Sequence, residues 1–522
     1  MIFNLRKILL LCLCVAPFYT FSQESDLSLV RKYAETAFNK GDYEFALENY
    51  KILYESTPDD IDINFCIGAC YTETNIDKEA AVKYLEFVAR HNNFPARTYY
   101  YLGRSYMNTY RFTEAIEAFY NYKMYGSIES ELHESTRMIE MCEKAVEVIP
   151  NAQNVKFTLL DTTINSTADD MLPFITNYGT LLYFTSTREY NKELEEYQSL
   201  GFYSELKKGA WTNAISVPPH NNDYEEIVGV SPDGNHLLIH ANGDFASHDI
   251  RKTNRKGNKF SRALPAELPS FINTEGVECG ASMTADGNTL FFASNKKGGY
   301  GGMDIYVVRR ELDGSWGEPQ NLGPTINSPY DDNYPNISAD GKEIYFASKG
   351  HDGIGGYDIF TSSMLDDGRT WTNPRPLDYP INTPLDDISI SFAPDRRSAY
   401  LAAKRKEGIG GLDIYRVEFF EEQAIALAFT IYVGNNESDA VRYSIDHPKA
   451  YCVINDIYGN IFAQVEVTED GEAFIMLPPG EYRLEARFEG YEPSSKTKIV
   501  VSENAVGEAG ILYQDIYLKP LN

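Results

Sequence analysis

The sequence has little of what a nucleic-acid-binding protein or a membrane-spanning protein needs. It contains 47 lysines and arginines against 76 aspartates and glutamates, so its formal net charge is −29. A chain this acidic is repelled by nucleic-acid phosphates and by anionic lipid, which argues against a nucleic-acid partner. Beyond the N-terminus no apolar run is long enough to cross a bilayer, so no direct membrane span is predicted.

Cysteine and catalytic motifs are also scarce. The seven cysteines are scattered, which is typical of single buried side chains rather than of a disulfide framework. Cys66 and Cys70 share a helical face, but no histidine or second cysteine pair accompanies them. There is no HExxH zinc pair and no phosphate-binding loop, and GVSPDG around Ser231 only approaches a GxSxG elbow. The sequence therefore predicts no catalytic residue, no cofactor and no metal site.

The N-terminus has the pattern of an export signal. Two cations precede an apolar run, and the small residues Thr20 and Ser22 fit a cut that removes residues 1–22. Cys12 and Cys14 both follow leucine, where a lipoprotein signal has a small residue, so lipidation is not predicted. The pattern favours a secretory signal peptide.

Residues 27–148 carry a helical repeat. Small residues and large aromatic residues each recur about every 34 residues, which is the period of tetratricopeptide repeats. These positions are Ala34, Gly68 and Gly103 for the small residues, and Tyr50, Tyr84 and Phe119 for the aromatic ones. An amphipathic helix over 130–148 is expected to cap an all-α superhelix. Its groove fits peptide or protein binding, and a spacer or dimerisation arm is the alternative.

Residues 155–420 carry a second repeat of about 54 residues. Its landmarks are an Asn-led turn before acidic residues, a turn before an apolar strand, which is Asp-Gly in three units, and an Asp-Ile-aromatic segment. The turn asparagines are Asn165, Asn221, Asn273, Asn327 and Asn382. The turn glycines are Gly179, Gly234, Gly287 and Gly341, with Arg396 in the fifth place. Asp-Gly between alternating runs indicates a hairpin, so five units of about four strands predict a five-bladed β-propeller.

Two segments of the sequence resemble known modules. The repeated SPDG and SADG turns, with GGYGGMDIY, GIGGYDIF and GIGGLDIY, resemble the WD-repeat-like propeller repeats of bacterial envelope proteins. Residues 421–522 alternate as strands and turns, and LPPGEYRLEARFEGY there resembles the carboxypeptidase regulatory-like domain, a seven-stranded β-sandwich. The resemblance implies a multidomain chain: helical superhelix, propeller, then small sandwich.

The order of these modules resembles the OmpA-family envelope proteins of Bacteroidetes, of the PorE type. The resemblance implies a non-enzymatic, exported scaffold in the periplasm, associated with the outer membrane and with type IX secretion. Envelope proteins would bind through the tetratricopeptide groove and the propeller face. In that family a peptidoglycan-binding OmpA-like domain follows, whereas this sequence ends at YLKPLN. Peptidoglycan is therefore not an expected partner.

An exported, glycan-active hydrolase of propeller type is the alternative function. A glycosidase needs two carboxylates in one pocket. The acidic pairs Asp331/Asp332 and Asp386/Asp387 instead recur from unit to unit, which predicts that they accept hydrogen bonds from backbone N–H groups in turns. A unique acid pair in the propeller mouth would favour the hydrolase, and none is evident from the repeats. No hydrolase activity is therefore expected.

One candidate partner-binding surface comes from the loops after the second strand of three units. These loops are basic and rich in glycine, and equivalent loops of a propeller lie on one face. Their cations are Lys296, Lys297, Lys349, Lys404, Arg405 and Lys406. The six would ring one mouth of an acidic protein and capture an acidic partner. The alternative is that exposed loops collect lysine and glycine for solubility.

Overall fold

The fold was obtained as a computed structural model. It describes residues 20–522 apart from 192–195, 219–223, 243–247, 262–267, 270, 421–424, 436–437, 445–449, 489, 503–504, 507–509 and 522. Most of the expected signal peptide and the turn at Asn221 lie outside the described residues. The chain divides into two compact units, Met1–Ile139 and Glu140–Asn522.

Seven α-helices open the described part of the chain. They are α1 (Thr20–Lys40), α2 (Tyr43–Ser56), α3 (Ile61–Glu73), α4 (Lys78–Ala89), α5 (Arg97–Asn108), α6 (Phe112–Tyr125) and α7 (Glu129–Val148). The helix expected over 130–148 corresponds to α7. None of these described helices combines the length and the apolar content that crossing a membrane requires.

Aspartate caps and small residues explain the local helical structure. The side chains of three aspartates accept hydrogen bonds from the first turns of their helices, which satisfies otherwise unpaired N–H groups. These caps are Asp42 of α2, Asp60 of α3 and Asp77 of α4. A Cβ at Gly68 would overlap the side chain of Leu85, and one at Gly103 would overlap that of Phe119. The close helix approach expected at these two glycines is therefore present.

Five antiparallel sheets follow within the described part of Glu140–Asn522. The strand β1 (Val155–Leu159) comes first. Sheet 1 holds β2 (Asp170–Ile175), β3 (Leu181–Asn191), β4 (Glu196–Lys207), β5 (Ala210–Trp211) and β6 (Ile215–Ser216). Sheet 2 holds β7 (Tyr224–Val230), β8 (His236–Asn242), β9 (His248–Lys256) and β10 (Lys259–Phe260). Sheet 3 holds β11 (Glu278–Met283), β12 (Thr289–Ser294), β13 (Asp304–Arg309) and β14 (Gln320–Asn321).

The last two sheets follow the same plan. Sheet 4 holds β15 (Asp332–Ile337), β16 (Glu343–Ser348), β17 (Asp358–Ser363) and β18 (Arg375–Pro376). Sheet 5 holds β19 (Ile390–Phe392), β20 (Ser398–Ala403) and β21 (Asp413–Phe419), and its fourth strand is β1. The strand β1 runs antiparallel to β21, with Val155 opposite Phe419 and Leu159 opposite Tyr415. Sheet 5 therefore joins the beginning and the end of this region.

The first strands of successive sheets contact one another. Sheets 2 and 3 approach at Gly229, where a Cβ would overlap the carbonyl oxygen of Ala281. The other neighbours are joined by hydrogen bonds of 2.8–3.0 Å. The N–H of Asn177 donates to Pro232 O between sheets 1 and 2, and the N–H of Ile337 donates to Ser282 Oγ between sheets 4 and 3. Asn336 Nδ2 donates to Ile390 O between sheets 4 and 5, and the N–H of Ile175 donates to Ser391 Oγ between sheets 1 and 5. Each sheet contacts the next and the fifth contacts the first, so the fold is propeller-like.

The remaining described strands form two further sheets. They are β22 (Ile425–Val433), β23 (Val441–Arg442), β24 (Ala450–Asn455), β25 (Ile461–Glu466), β26 (Glu472–Leu477), β27 (Gly480–Phe488), β28 (Tyr491–Glu492), β29 (Thr497–Val501) and β30 (Ile511–Pro520). One sheet joins β23, β22, β30 and β28, with β26 also paired to β22, and the other has the order β25-β24-β27-β29. Alternate residues of β22 are buried, as in a strand with one face in the core.

Candidate functional site

The two ends of the strands in sheets 1–5 carry different sequence landmarks. Neighbouring strands in each sheet are antiparallel, so turns after the first strands lie on one face and turns after the second strands on the other. The Asp-Gly turns belong to the first face and the basic glycine-rich loops to the second. The turn glycines all have positive φ, as the hairpin prediction requires.

The recurring glycines of the basic loops serve packing between sheets. A Cβ at Gly355 would overlap the carbonyl oxygens of Thr383 and Leu385, which belong to the turn leading into sheet 5. Gly301 and Gly410 meet the equivalent turns in the same way. Their recurrence therefore follows from the repeated fold.

The recurring acidic pairs bind turns, as predicted. Asp386 Oδ1 accepts a hydrogen bond from the N–H of Tyr357 at 2.9 Å, and Asp387 Oδ2 accepts one from the N–H of Thr383 at 2.6 Å. The pair one unit earlier makes the corresponding bonds. The prediction that these carboxylates accept from backbone N–H groups is confirmed.

The six cations of the basic loops lie on the second face, but several already have partners. Lys349 Nζ lies 3.2 Å from Asp331 Oδ2 and 4.4 Å from the ring centroid of Tyr357. Lys296 Nζ lies 3.9 Å from the ring centroid of Tyr306, and its burial lowers its pKa. These two cations are thus held by groups of their own sheet or of the turns that lead into its strands.

Arg405 points toward the C-terminal sheets. Its Nη2 lies 2.7 Å from Asp456 Oδ2, its Nε lies 2.9 Å from Glu407 Oε1, and its guanidinium lies 4.3 Å from the ring centroid of Phe157. The other three cations of the set are Lys297, Lys404 and Lys406. The six do not form a ring of unpaired charge, and their role in binding a partner stays a prediction.

The first face holds a cavity of about 210 Å³. It is lined by the ends of the first strands of sheets 1, 2, 4 and 5 and by the turns that follow them. Its buried lining includes Phe174, Ile175, Ile337, Ser391 and Ala393. Its exposed rim includes Asn177, Ala339, Asp340, Pro394 and Arg396.

Two residues break the sequence repeat here: Arg396 lines the cavity, and Glu343 contacts Arg396 from just outside the lining. Arg396 occupies the place of the turn glycine and has a φ of 53°, a left-handed conformation that is uncommon for arginine. Glu343 stands two residues after the turn glycine of sheet 4. The residues at that place in the other sheets are Leu181, His236, Thr289 and Ser398. Arg396 Nη2 lies 3.0 Å from Glu343 Oε2, so both exceptions meet across the junction of sheets 4 and 5.

Hydrogen bonds and charge shape this corner of the cavity. Tyr345 donates from its hydroxyl to Glu343 Oε2 at 3.3 Å, and burial together with the Glu343 charge raises the pKa of Tyr345 to about 12. The hydrogen bond from Ser338 Oγ to Asp340, aided by Arg396, holds the pKa of Asp340 below its ordinary value. The corner thus presents a protonated phenol, two carboxylate side chains and one guanidinium.

An aromatic wall adjoins these polar groups. The ring centroids of Tyr345 and Phe392 are 4.8 Å apart, and Phe392 in turn stacks on Phe419 at 5.5 Å. Sequence reasoning noted Arg396 as an exception but missed Glu343. Comparing the residue two places after each turn glycine would have found it, because only sheet 4 has a carboxylate there.

Metal ligands and thiols are the other chemical groups of interest among the described residues. No group of three or more His, Cys, Asp and Glu side chains is placed to hold a metal ion in the described part of the chain. Burial raises the pKa of the Cys66 thiol to about 11 and that of the Cys70 thiol further, which disfavours a reactive thiolate.

No family model and no curated protein sequence matches the chain. Among solved structures, the α-L-arabinofuranosidase from Lactobacillus brevis is 13% identical with a TM-score of 0.33, over 50% of this chain and 93% of that one. The α-L-arabinofuranosidase ARB93A from Fusarium graminearum is 11% identical with a TM-score of 0.27, over 52% and 98%. GH43B of the Bacteroides ovatus xyloglucan PUL is 10% identical with a TM-score of 0.26, over 66% and 79%.

These matches correct the function that the sequence analysis predicts. They include arabinofuranosidases, and they are not clearly OmpA-family envelope proteins. The prediction of a scaffold for envelope proteins is therefore wrong, and the matches are nearer to its alternative, an exported glycan-active hydrolase of propeller type. Whether the chain is an enzyme stays a prediction. Likenesses this distant transfer no residue role and no substrate, so the function has to be argued from the cavity.

Proposed function

We propose that this protein acts on glycans and that the cavity at Glu343 and Arg396 is its saccharide site. The observation that carries the proposal is the meeting of these two non-repeated residues with the aromatic wall of Tyr345 and Phe392. A sugar presents hydroxyl groups that both donate and accept hydrogen bonds, and C–H faces that pack against aromatic rings. The cavity supplies groups of both kinds.

We also infer the finer architecture that places this site. The chain of contacts between first strands, and the completion of sheet 5 by β1, support a closed five-bladed β-propeller. The helical period of about 34 residues supports a tetratricopeptide superhelix for α1–α7. In a closed propeller the cavity lies where the blades converge.

Export, and kinship with OmpA-family envelope proteins, remain proposals that rest on the sequence patterns. An exported location suits a glycan-active protein because extracellular and cell-wall polysaccharides lie outside the cytoplasm. The basic loops are retained as a proposed second surface.

Hydrolysis is the more demanding form of the proposal. A glycosidase uses a pair of carboxyl groups, one of which gives a proton to the leaving oxygen. Glu343, which contacts the lining residues Arg396 and Tyr345, is the candidate acid because it does not recur from sheet to sheet, and Asp340 on the cavity rim is the second carboxyl group. The expectation of no hydrolase activity stays a prediction until sugar release is measured.

Binding and cleavage can be measured on the same samples. The full chain is titrated with arabinose-, xylose-, glucose- and galactose-containing oligosaccharides by calorimetry, and released reducing sugar is assayed in parallel. We expect saturable binding that Glu343→Gln and Phe392→Ala each weaken about tenfold. Glu318→Gln is the control, because Glu318 is exposed in the loop between β13 and β14 and does not line the cavity.

The outcomes separate the two forms of the proposal. Absence of binding to every oligosaccharide, or equal binding by wild type and Glu343→Gln, would contradict the saccharide site. Sugar release that is lost in Glu343→Gln would establish hydrolysis and overturn the prediction of no hydrolase activity. Binding without release would leave that prediction standing.

A further inference from the structure

We infer that the cavity takes a single uncharged sugar ring at the end of a glycan and discriminates against acidic sugars such as uronic acids. This inference rests on the proposed function, since it specifies the ligand of the same site. It follows from the size of the cavity, from the charges on its rim and from the hydrogen-bonding groups in its wall.

The size of the cavity limits what can enter. Its volume of about 210 Å³ lies below the roughly 300–1,000 Å³ of pockets that bury drug-sized ligands. The buried side chains of Phe174, Ile337 and Ala393 line its inner part, and exposed turns form its rim. One sugar ring therefore fills the space, and the rest of a longer chain stays in solvent beyond the rim.

The charges at the cavity oppose an anion. Asp340 and Arg396 are the charged residues that line the cavity, and Arg396 is already paired at 3.0 Å with Glu343, which lies just outside the lining. The adjacent turns add two carboxylates and two cations, whose charges cancel, so the net charge around the cavity stays negative. These flanking residues are Asp233, Asp395, Lys342 and Arg397. A uronate would have to compete with Glu343 for Arg396 beside a second carboxylate, and such repulsion is an efficient source of specificity.

The neutral polar groups of the wall suit hydroxyls. Ser391 Oγ accepts a hydrogen bond from the N–H of Ile175 at 3.0 Å, so its own hydroxyl hydrogen can be donated to a ligand. Asn336 uses one amide hydrogen on Ile390 O at 2.8 Å, and its carbonyl oxygen is an acceptor. A sugar hydroxyl can pair with both.

The test uses saccharide pairs that differ only at the terminal C6 group. Glucose- and glucuronate-terminated, and galactose- and galacturonate-terminated, trisaccharides are titrated against the full chain at low and high salt. We expect the neutral member to bind about tenfold tighter at low salt, with a smaller difference at high salt because salt screens rim charges. Shortening the neutral trisaccharide to its terminal disaccharide should cost less than about threefold.

Charge-neutral variants locate the cause of the discrimination. Glu343→Gln and Asp340→Asn should each reduce the ratio of the dissociation constants for the acidic and the neutral saccharide by about threefold. Glu318→Gln should keep the wild-type ratio. Uronate-terminated members that bind wild type as tightly as the neutral ones, or a gap that neither cavity variant narrows, would overturn this inference alone. Absence of binding to any member would overturn the proposed function and this inference with it.

Discussion

Buried carboxyl groups differ from one sheet junction to the next in how their charge is compensated. Where sheet 5 meets sheet 1, Arg188 Nη2 lies 2.5 Å from Asp170 Oδ1. Where sheet 4 meets sheet 5, Asp358 and Asp387 are both buried, and no ion pair to either is found among the described contacts. Burial raises the pKa of Asp358 to about 7, and burial followed by the neighbouring Asp358 raises that of Asp387 well above its ordinary value. This junction therefore holds protons that an exposed aspartate would have lost.

Stability should fall as the pH rises through this range. A carboxyl group whose pKa is higher in the folded than in the unfolded state binds more protons when folded. The free energy of unfolding therefore falls as the pH rises above the ordinary pKa of 3.8, until the pH has passed the pKa of the folded state. Asp358→Asn mimics the protonated group. Between pH 5 and pH 8 the free energy of unfolding should therefore fall by roughly 2–3 kcal/mol less in Asp358→Asn than in wild type.

Urea unfolding of both proteins at the two pH values checks this prediction. The control is Asp367→Asn, because hydrogen bonds from Thr370 lower the pKa of Asp367 to about 2 and its contribution is lost only in acid. If the free energy of unfolding changed equally with pH in wild type and in Asp358→Asn, the raised pKa of Asp358 would be contradicted.

At the scale of strands and turns, the sequence predicted what depends on local geometry. Turn glycines before apolar runs recur in four of the five units, with Arg396 in the fifth, and indicate hairpins without any knowledge of neighbours. The pairing of β1 with β21 could not be read in this way, because its partners are far apart in the chain. The contact of Arg396 with Glu343 escaped for the same reason: it depends on how sheet 4 meets sheet 5.

The close approach of sheets 2 and 3 provides a test of the packing between sheets. Gly229→Ala should destabilise the protein by about 3 kcal/mol, because the added Cβ would overlap the backbone oxygen of Ala281 and the strands would have to part. The control is Gly314→Ala, where φ is 85° but nothing lies within 4 Å, so only the backbone strain of about 1 kcal/mol applies. Thermal and urea unfolding measure both. Equal losses would show that the sheets can separate without strain.

In the molecule as a whole, the C-terminal sheets are joined to sheet 5 by specific contacts. The ion pair of Arg405 with Asp456 is partly buried, and Tyr379 donates from its hydroxyl to Ile461 O at 3.0 Å. Sequence patterns predicted a separate β domain after about residue 420 and placed Arg405 in a loop. They could not show that Arg405 binds the C-terminal sheets, because its partner Asp456 lies in a segment that the patterns assign to another domain.

A double-mutant cycle measures how much the join contributes. Arg405→Ala and Asp456→Ala should be coupled by about 2 kcal/mol in the free energy of unfolding, since both side chains are about four-fifths buried. The matched control is the exposed pair Arg442 and Glu472, for which coupling below about 1 kcal/mol is expected. Coupling as small at Arg405 as at Arg442 would mean that this ion pair does not hold the C-terminal sheets to sheet 5.

The pairing of β1 with β21 also decides how the protein responds to mechanical tension. The chain enters the five-sheet region at Val155 and leaves it at Phe419, and these two residues lie opposite each other at the same end of the antiparallel pair. A force applied between the two flanking parts of the chain would act on this end and break the hydrogen bonds one after another, as in unzipping. Sheet 5 would lose β1 while sheets 1–4 carry no load, so tension would open the region at one defined seam.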